Sequence, residues 1–276
     1  IMTYNRILTI QDISCMGQCS LTVALPILSA CGHETVILPS AVLSTHTGGF
    51  SGFTFRDLTD DIPDIQKHWQ KEGIKFDAIY TGYLGSFKQI EYVSDIFATM
   101  GKEHAPIICD PAMADNGALY SSFELDDAKA MAGLCAKADI VLPNITEACF
   151  MTGFEYKEKY DEQYVKDLCK AMTDIGIKTI VLTGVSYDEA STGIVVYDKG
   201  DYQYYRHEKL GKGCHGTGDI YASAFTGAYM RGHSLIESAK IAGDYVLECI
   251  KLTSEDKDHW YGAKFEPALG SLIAAL

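Results

Sequence analysis

The sequence is short of positive charge. Its 23 lysines and arginines stand against 37 acidic residues, which gives a formal net charge of −14. Such a surface repels nucleic acid and anionic lipid, so no polyanionic partner is expected. No apolar run reaches the roughly 18 residues that a membrane-spanning helix needs, and no signal-like segment precedes the first predicted strand. We therefore expect neither a nucleic-acid-binding protein nor a membrane protein.

A disulfide framework is not expected either. The nine cysteines are an odd number in a chain of 276 residues, and several lie inside apolar segments, as Cys31 and Cys249 do. Free cysteines packed as small apolar residues in a reducing cytosol fit better, which predicts a cytoplasmic protein. Cys15 and Cys19 share a CxxxC spacing, but no second ligand pair accompanies them, so zinc is not expected.

What the chain does contain is an alternation of short apolar strands and helical patterns. This alternation predicts one α/β domain over residues 1–276, with a mostly parallel sheet covered by helices on both faces. A β-hairpin is predicted around Asp198-Lys-Gly, with arms at 192–196 and 202–206. The other predicted strands are 6–10, 35–38, 76–80, 106–109, 140–142 and 179–182, and the predicted helices are 20–30, 58–69, 90–100, 126–136, 162–175, 219–231 and 235–252.

Polar or glycine-rich segments follow six of the predicted strands. The carboxyl ends of parallel strands meet at one edge of a sheet, which is where such folds bind ligands. Any one segment is also typical of an ordinary loop or helix cap, but six together predict a ligand-binding rim. The segments contain Gln11-Asp12, Thr45-His46, Thr81-Gly-Tyr83, Asp110-Pro, Pro143-Asn144 and Thr183-Gly184.

The most informative segment is Gly216-Thr217-Gly218-Asp219, which opens a predicted helix. A glycine turn at a helix N-terminus leaves backbone N–H groups free to bind an anion, most often phosphate. Asp219 would weaken a site that only held phosphate, so it is better suited to take a proton from an attacking hydroxyl. The alternative is a glycine turn capped by an aspartate.

Two further carboxylates suit a magnesium ion. Asp110 and Glu147 each follow a strand, and Mg²⁺ prefers one or two carboxylates together with phosphate oxygens and water. With the glycine turn and Asp219 they would form a phosphotransfer site. The alternatives are an Asx-turn at Asp110 and a charge in the first turn of a helix at Glu147. The chain has no GxxxxGK[ST] motif, so a P-loop fold is not indicated.

His46 and Tyr83 suit a flat, polar, heteroaromatic substrate, because an imidazole and a phenol offer ring faces and hydrogen bonds together. The alternative is a partly buried aromatic pair with satisfied hydrogen bonds. Cys214 beside the glycine turn could be a nucleophile or approach a substrate aldehyde, but no base is identifiable for it. A small residue permitting a tight turn is the simpler interpretation.

Taken together, these motifs resemble the ribokinase-like superfamily and, within it, the pyridoxal (vitamin B6) kinases. The segments Leu43-Ser-Thr-His-Thr-Gly-Gly-Phe50 and Thr81-Gly-Tyr83 point to the B6 kinases, whereas the other motifs are shared across the superfamily. The resemblance implies a three-layer α/β/α sandwich with a small β flap. It also implies transfer of the ATP γ-phosphoryl group to the 5′-hydroxyl of a B6 vitamer, a requirement for Mg²⁺, a frequent response to K⁺, and a homodimer.

The resemblance also assigns roles to individual residues. Asp219 matches the catalytic base, and Gly216, Thr217 and Gly218 match the anion hole. The substrate pocket is matched by Asp12, Thr45, His46 and Tyr83, and residues 48–56 match a flap that also contacts a second subunit. The ATP and metal region is matched by Asp110, Asn144, Glu147 and Thr183, to which Lys212 could contribute.

Two features depart from the family pattern. Asp12 stands where familiar pyridoxal kinases have serine, and a carboxylate there could favour a vitamer that carries an amine. The loop 114–124, expected to cover ATP, has no lysine or arginine, so phosphate neutralisation would depend on metal and backbone. Two other functions stay open: a hydroxymethylpyrimidine kinase of thiamin synthesis, and a nucleotide-binding protein without activity.

Overall fold

A nine-stranded sheet forms the centre of the protein in the computed structural model, which describes residues 4–211 and 213–276. Within those residues its order is β11-β10-β9-β8-β5-β4-β1-β2-β3. The six strands β9, β8, β5, β4, β1 and β2 are parallel, whereas β3, β10 and β11 add antiparallel edges. The strands are β1 Arg6–Ser14, β2 Glu34–Leu43, β3 Phe55–Asp57, β4 Ala78–Thr81, β5 Ile107–Cys109, β6 Ala114–Asp115, β7 Ala118–Leu119, β8 Ile140–Val141, β9 Thr179–Leu182, β10 Ser191–Asp198 and β11 Asp201–Glu208.

Helices cover both faces of this sheet and form a separate apolar core on each. One core lies under α2 to α6 and contains Ile90, Met131 and Leu168. The other lies under α1, α7, α8 and α9 and contains Ile27 and Phe225. The three-layer α/β/α prediction is therefore confirmed. The helices are α1 Leu21–Ala30, α2 Ile62–Lys71, α3 Phe87–Thr99, α4 Leu125–Cys135, α5 Ile145–Thr152, α6 Glu162–Asp174, α7 Thr217–Met230, α8 Leu235–Ser254 and α9 Leu269–Ala275, with 3₁₀ turns at Thr59–Asp61 and Glu266–Ala268.

The first two strands run further than predicted. β1 continues to Ser14 and β2 to Leu43, and a β-bulge between Gln11 and Ile13 allows β1 to continue beside β2. The prediction that Asp12 follows the first strand is therefore wrong, because it lies inside β1. The predicted β-hairpin is confirmed, with Lys199 and Gly200 at positive φ as a two-residue turn requires.

The short elements were not predicted from the hydrophobic pattern. The edge strand β3, the β6–β7 hairpin and the helices α5 and α9 had no predicted counterpart. They span two to eight residues, too few for a period to emerge. β3 pairs with the end of β2 and carries part of the predicted flap. In the part of the chain described here, no helix is both long and apolar enough to cross a bilayer.

Candidate active site

The glycine turn opens α7, as the sequence predicts. Gly216 is the N-cap in the left-handed conformation, with φ of 79°. A Cβ there would lie 2.1 Å from the carbonyl oxygen of Gln18, so only glycine fits. The Thr217 hydroxyl donates to the carbonyl of Cys214 at 3.1 Å, and Gly218 is exposed. The first N–H groups of α7 therefore face open space and can receive an anion.

Asp219 stands in the first turn of α7, partly buried beside this turn. Its Oδ2 accepts a hydrogen bond from the backbone N–H of Ser20 at 2.9 Å. Burial raises the pKa of Asp219 from 3.8 to about 6; the Ser20 N–H opposes the rise and the charge of Asp12 adds to it. A carboxylate with that pKa is ionised at neutral pH and still basic enough to accept a proton.

Asp12 lies close to Asp219 and is almost fully buried, with 5% of its surface exposed. It accepts hydrogen bonds from the hydroxyls of Ser14, at 3.0 Å, and Ser20, at 2.6 Å. Burial raises the pKa of Asp12, while the two hydroxyls and His46 oppose the rise. None of the ion pairs among the described residues includes Asp12. It is thus a desolvated carboxylate that a cationic ligand would stabilise.

His46 has protein partners at both ring nitrogens. Its Nδ1 accepts from the N–H of Gly48 at 3.0 Å, so Nε2 carries the hydrogen and donates to the carbonyl of Tyr261 at 2.5 Å. The ring packs against Phe50 and His215, with centroids 5.1 and 5.2 Å away. His46 therefore ties the predicted flap to the C-terminal segment. The geometry matches the alternative of a buried ring with satisfied hydrogen bonds.

Thr45 and Tyr83 are both half-buried. The Thr45 hydroxyl donates to the carbonyl of His46 at 3.1 Å. Tyr83 reaches the loop that follows β7, where its hydroxyl lies 3.0 Å from that of Ser122 and its ring meets Phe123 edge-on. Burial raises the pKa of Tyr83, and the charge of Asp12 adds to the rise. The charge of Asp12 thus acts on both Tyr83 and Asp219.

Asp110 follows β5 and is 7% exposed. Its Oδ1 accepts from the N–H of Ala112 at 3.2 Å, which is the Asx-turn foreseen as an alternative. Burial raises the pKa of Asp110 well above its usual range, and the charges of Glu147 and Asp219 add to the rise. Crowded carboxylates of this kind suit a divalent cation. Among residues 4–211 and 213–276, however, no three acidic, histidine or cysteine side chains converge on a metal site.

Glu147 holds two backbone segments in place. Its Oε2 accepts from the N–H of Asn144 at 2.9 Å, closing a capping box at the start of α5. Its Oε1 accepts from the N–H of Met113 at 3.0 Å, just before the β6–β7 hairpin. Burial raises the pKa of Glu147 to about 7, although these N–H groups oppose the rise. The first-turn role is therefore present, and any contact with a metal would be additional to it.

The remaining predicted ATP residues line the same edge of the sheet. Asn144 accepts from the N–H of Glu147 and donates to the carbonyl of Ala114, both at 2.8 Å, so it anchors the loop expected to cover ATP. Thr183 pairs with Asn144 across neighbouring strands. Lys212 lies outside the described residues.

Sequence reasoning missed two groups of residues near this site. Ser20 contacts both Asp12 and Asp219, yet the sequence predicts only that a helix begins at this residue. Trp260 and Tyr261 close over the predicted flap, together with His215, whose place beside the glycine turn is visible in the sequence: a Cβ at Gly48 would collide with His215, and one at Gly49 with Trp260. The aromatic run His259-Trp-Tyr261 was the only available signal for the second group.

Comparisons with known proteins show what the chain is similar to. A family model described as phosphomethylpyrimidine kinase matches residues 28–263. The pyridoxine/pyridoxal/pyridoxamine kinase of Bordetella avium (strain 197N) is 24% identical over 260 residues, which is 90% of this chain and 85% of that protein. A hydroxymethylpyrimidine/phosphomethylpyrimidine kinase of Aquifex aeolicus (strain VF5) is 32% identical over 114 residues, which is 41% of this chain and 44% of that one.

Two solved structures match nearly the whole length of this chain. A protein assigned as a phosphomethylpyrimidine kinase from Bacteroides thetaiotaomicron VPI-5482, crystallised with pyridoxal, superposes with a TM-score of 0.92 at 37% identity. The match covers 98% of this chain and 96% of that one. The pyridoxal kinase of Lactobacillus plantarum gives 0.90 at 28% identity, covering 99% and 98%.

Proposed function

The chain belongs to the phosphomethylpyrimidine kinase family, and from that premise we propose that it phosphorylates the 5′-hydroxyl of a vitamin B6 alcohol with ATP. The observation that carries the proposal is the position of Asp219. Its carboxylate lies beside the open N–H groups of the Gly216–Gly218 turn and within the field of Asp12. A substrate hydroxyl and a terminal phosphate can meet there.

Asp219 would act as the general base. Within the described part of the chain only Ser20 donates to it, at Oδ2, which leaves Oδ1 available to the substrate hydroxyl. As the proton moves to Asp219, the hydroxyl oxygen attacks the γ-phosphorus and the bond to the β-phosphate oxygen breaks. The backbone N–H groups of the glycine turn would stabilise charge on the transferred group.

Mg²⁺ with ATP is part of the proposal. Asp110, buried and repelled by Glu147 and Asp219, has the chemistry of a magnesium ligand. Glu147, with both oxygens already accepting N–H groups, is better placed to bind a metal-bound water. The ion would neutralise charge on the phosphate oxygens. A response to K⁺ and a homodimer remain predictions from the resemblance, and a cytoplasmic location remains a prediction from the free cysteines.

A B6 vitamer is favoured over hydroxymethylpyrimidine by the segments Leu43–Phe50 and Thr81–Tyr83, which resemble those of the B6 kinases. The extent of the similarity does not separate the two substrates, because the Bordetella B6 kinase matches over 90% of this chain and a hydroxymethylpyrimidine kinase of Bacillus subtilis (strain 168) matches over 78%. A relative of known structure at 37% identity was crystallised with pyridoxal. The second candidate, hydroxymethylpyrimidine kinase, is supported by the description of the family model itself and by the higher identity of the Aquifex segment.

The test is a direct comparison of substrates. Purified protein with MgATP is supplied with pyridoxal, pyridoxine, pyridoxamine and hydroxymethylpyrimidine, and the phosphorylated product is quantified by chromatography. The proposal expects turnover of at least one B6 vitamer with a higher kcat/KM than hydroxymethylpyrimidine. Asp219→Ala should lose roughly 10²–10⁴ in kcat while binding nucleotide normally. Turnover of hydroxymethylpyrimidine alone would favour the second candidate, and nucleotide binding without turnover would favour a non-catalytic protein.

A further inference from the structure

The loop between β1 and α1 places a strained serine directly against the proposed base. We infer that Ser20 is a positioning residue, which aims its backbone N–H at Asp219 while its hydroxyl is anchored on Asp12. The inference rests on the proton-abstracting role proposed above for Asp219. It assigns to Ser20 a contribution to turnover, distinct from substrate or nucleotide binding.

All three polar groups of Ser20 are engaged, and each has a different partner. Its N–H donates to Oδ2 of Asp219 at 2.9 Å, and its hydroxyl donates to Oδ1 of Asp12 at 2.6 Å. Its carbonyl accepts from the N–H groups of Val23 and Ala24 and so begins α1. The residue therefore joins a strand, a helix and a carboxylate 199 positions further along the chain.

The backbone of Ser20 is in a conformation that glycine adopts more readily. Its φ is 56° and its ψ is −129°, and the preceding Gly17 and Gln18 also have positive φ. A non-glycine residue persists in such a conformation only when its surroundings impose it, and such residues cluster at functional sites. The hydroxyl bond to buried Asp12 is the contact that holds the side chain of Ser20 in place.

Ser20 does not act as an ordinary helix cap. A serine before a helix usually has extended backbone, and its oxygen accepts an N–H from the first turn. Ser20 has neither feature, and its side chain makes no capping bond to α1. Capping therefore does not explain the conformation, whereas orienting the N–H towards Asp219 does.

The experiment compares Ser20→Ala with Ser20→Gly, because a positioning role and a space-filling role predict different rankings of kcat for these two variants. Both keep the N–H and lose the hydroxyl, but glycine adopts the required backbone without strain. If Ser20 positions Asp219, alanine should lower kcat about 10–100-fold, because small misplacements of a reacting group are costly. Glycine should then retain at least about three times the alanine rate, with KM for MgATP unchanged in both. If the side chain only fills space, glycine should be no better than alanine.

Ser14→Ala is the matched control. It removes the other hydroxyl bond to Asp12, at 3.0 Å, without touching Asp219, and kcat should stay within about twofold of wild type. Melting temperatures establish that each variant is folded; if Ser20→Ala does not fold, Ser20→Cys replaces it, because a thiol is a weak donor.

The outcomes separate this inference from the proposed function. Equal kcat in Ser20→Ala and wild type, with Asp219→Ala inactive, overturns the role of Ser20 and leaves the base in place. Normal activity of Asp219→Ala would refute the assignment of Asp219 as the general base. A loss in Ser20→Ala that appears only in KM, or that Ser14→Ala reproduces, also overturns positioning.

Discussion

Replacing Asp219 by asparagine should make the protein inactive and more stable at the same time. Asparagine keeps the shape of the side chain and an oxygen to accept the N–H of Ser20, but it cannot take a proton. We expect kcat to fall by roughly 10²–10⁴. The stability gain follows from the burial that raises the pKa of Asp219 from 3.8 to about 6.

The size and sign of that gain depend on pH. Between pH 3.8 and about 6 the folded protein holds this proton more tightly than the unfolded chain does. Ionised Asp219 therefore destabilises the fold above about pH 6, and the penalty vanishes below about pH 4. At 1.36 kcal/mol per pH unit the upper limit is about 3 kcal/mol, and because Asp219 is only partly buried we expect about 1–2 kcal/mol.

Urea unfolding of wild type and Asp219→Asn, at about pH 7.5 and about pH 4.5, measures this difference. Asp258→Asn, which removes one charge at an exposed position, controls for the change in net charge. The variant should be more stable than wild type at the higher pH, and the gain should shrink at the lower one. A variant that is no more stable at neutral pH would mean that the carboxylate is not desolvated, and near-normal kcat would remove its role as base.

Three other substitutions test the rest of the site. Asp12→Ser should lower the ratio of kcat/KM for pyridoxamine to that for pyridoxal by about 10–100-fold, because a hydrogen bond to a charged group is worth about 1.5–3 kcal/mol. An unchanged ratio would show that Asp12 does not determine the choice of vitamer. Asp110→Asn should raise the Mg²⁺ concentration needed for half-maximal rate about tenfold or more, in a titration at fixed ATP, and an unaltered titration would exclude Asp110 as a ligand. Gly216→Ala should abolish turnover, since its Cβ would lie 2.1 Å from the Gln18 carbonyl, and an active variant would show that the turn adapts.

Periodicity was sufficient to predict most of the fold. Buried strands such as β4 and β9 are continuous apolar runs, and long helices such as α6 keep one apolar face, so both types of element are visible in the sequence. The lengths of β1 and β2 were not predictable. Polar Asp12 and Ser14 continue β1 because they bond to each other, and Asp12 accepts a second hydrogen bond from Ser20, which lies beyond the strand.

The sequence indicates candidate site residues where a residue type has few chemical roles. A glycine turn followed by an acid at the start of a helix is such a case, so Asp219 is a candidate base from the sequence alone. The contact of Ser20 with Asp219 and that of Tyr261 with His46 could not be foreseen, because backbone groups make them: an N–H to Asp219 and a carbonyl that accepts from His46. Every residue has such groups, so the sequence does not distinguish them. For Glu147 the structure shows the capping box that its position in the first turn of α5 makes possible.

The bond between His46 and the carbonyl of Tyr261 has a practical consequence for shortened forms of the chain. Gln18, in the loop that carries Ser20, also bonds to His259 and Glu266. A fragment that stops before His259 would keep every strand of the sheet, although it would remove Phe265 and Leu272 from the second apolar core. It would also lose the contacts that hold the flap and that loop, so good expression of a trimmed product would be no guide to its competence as an enzyme.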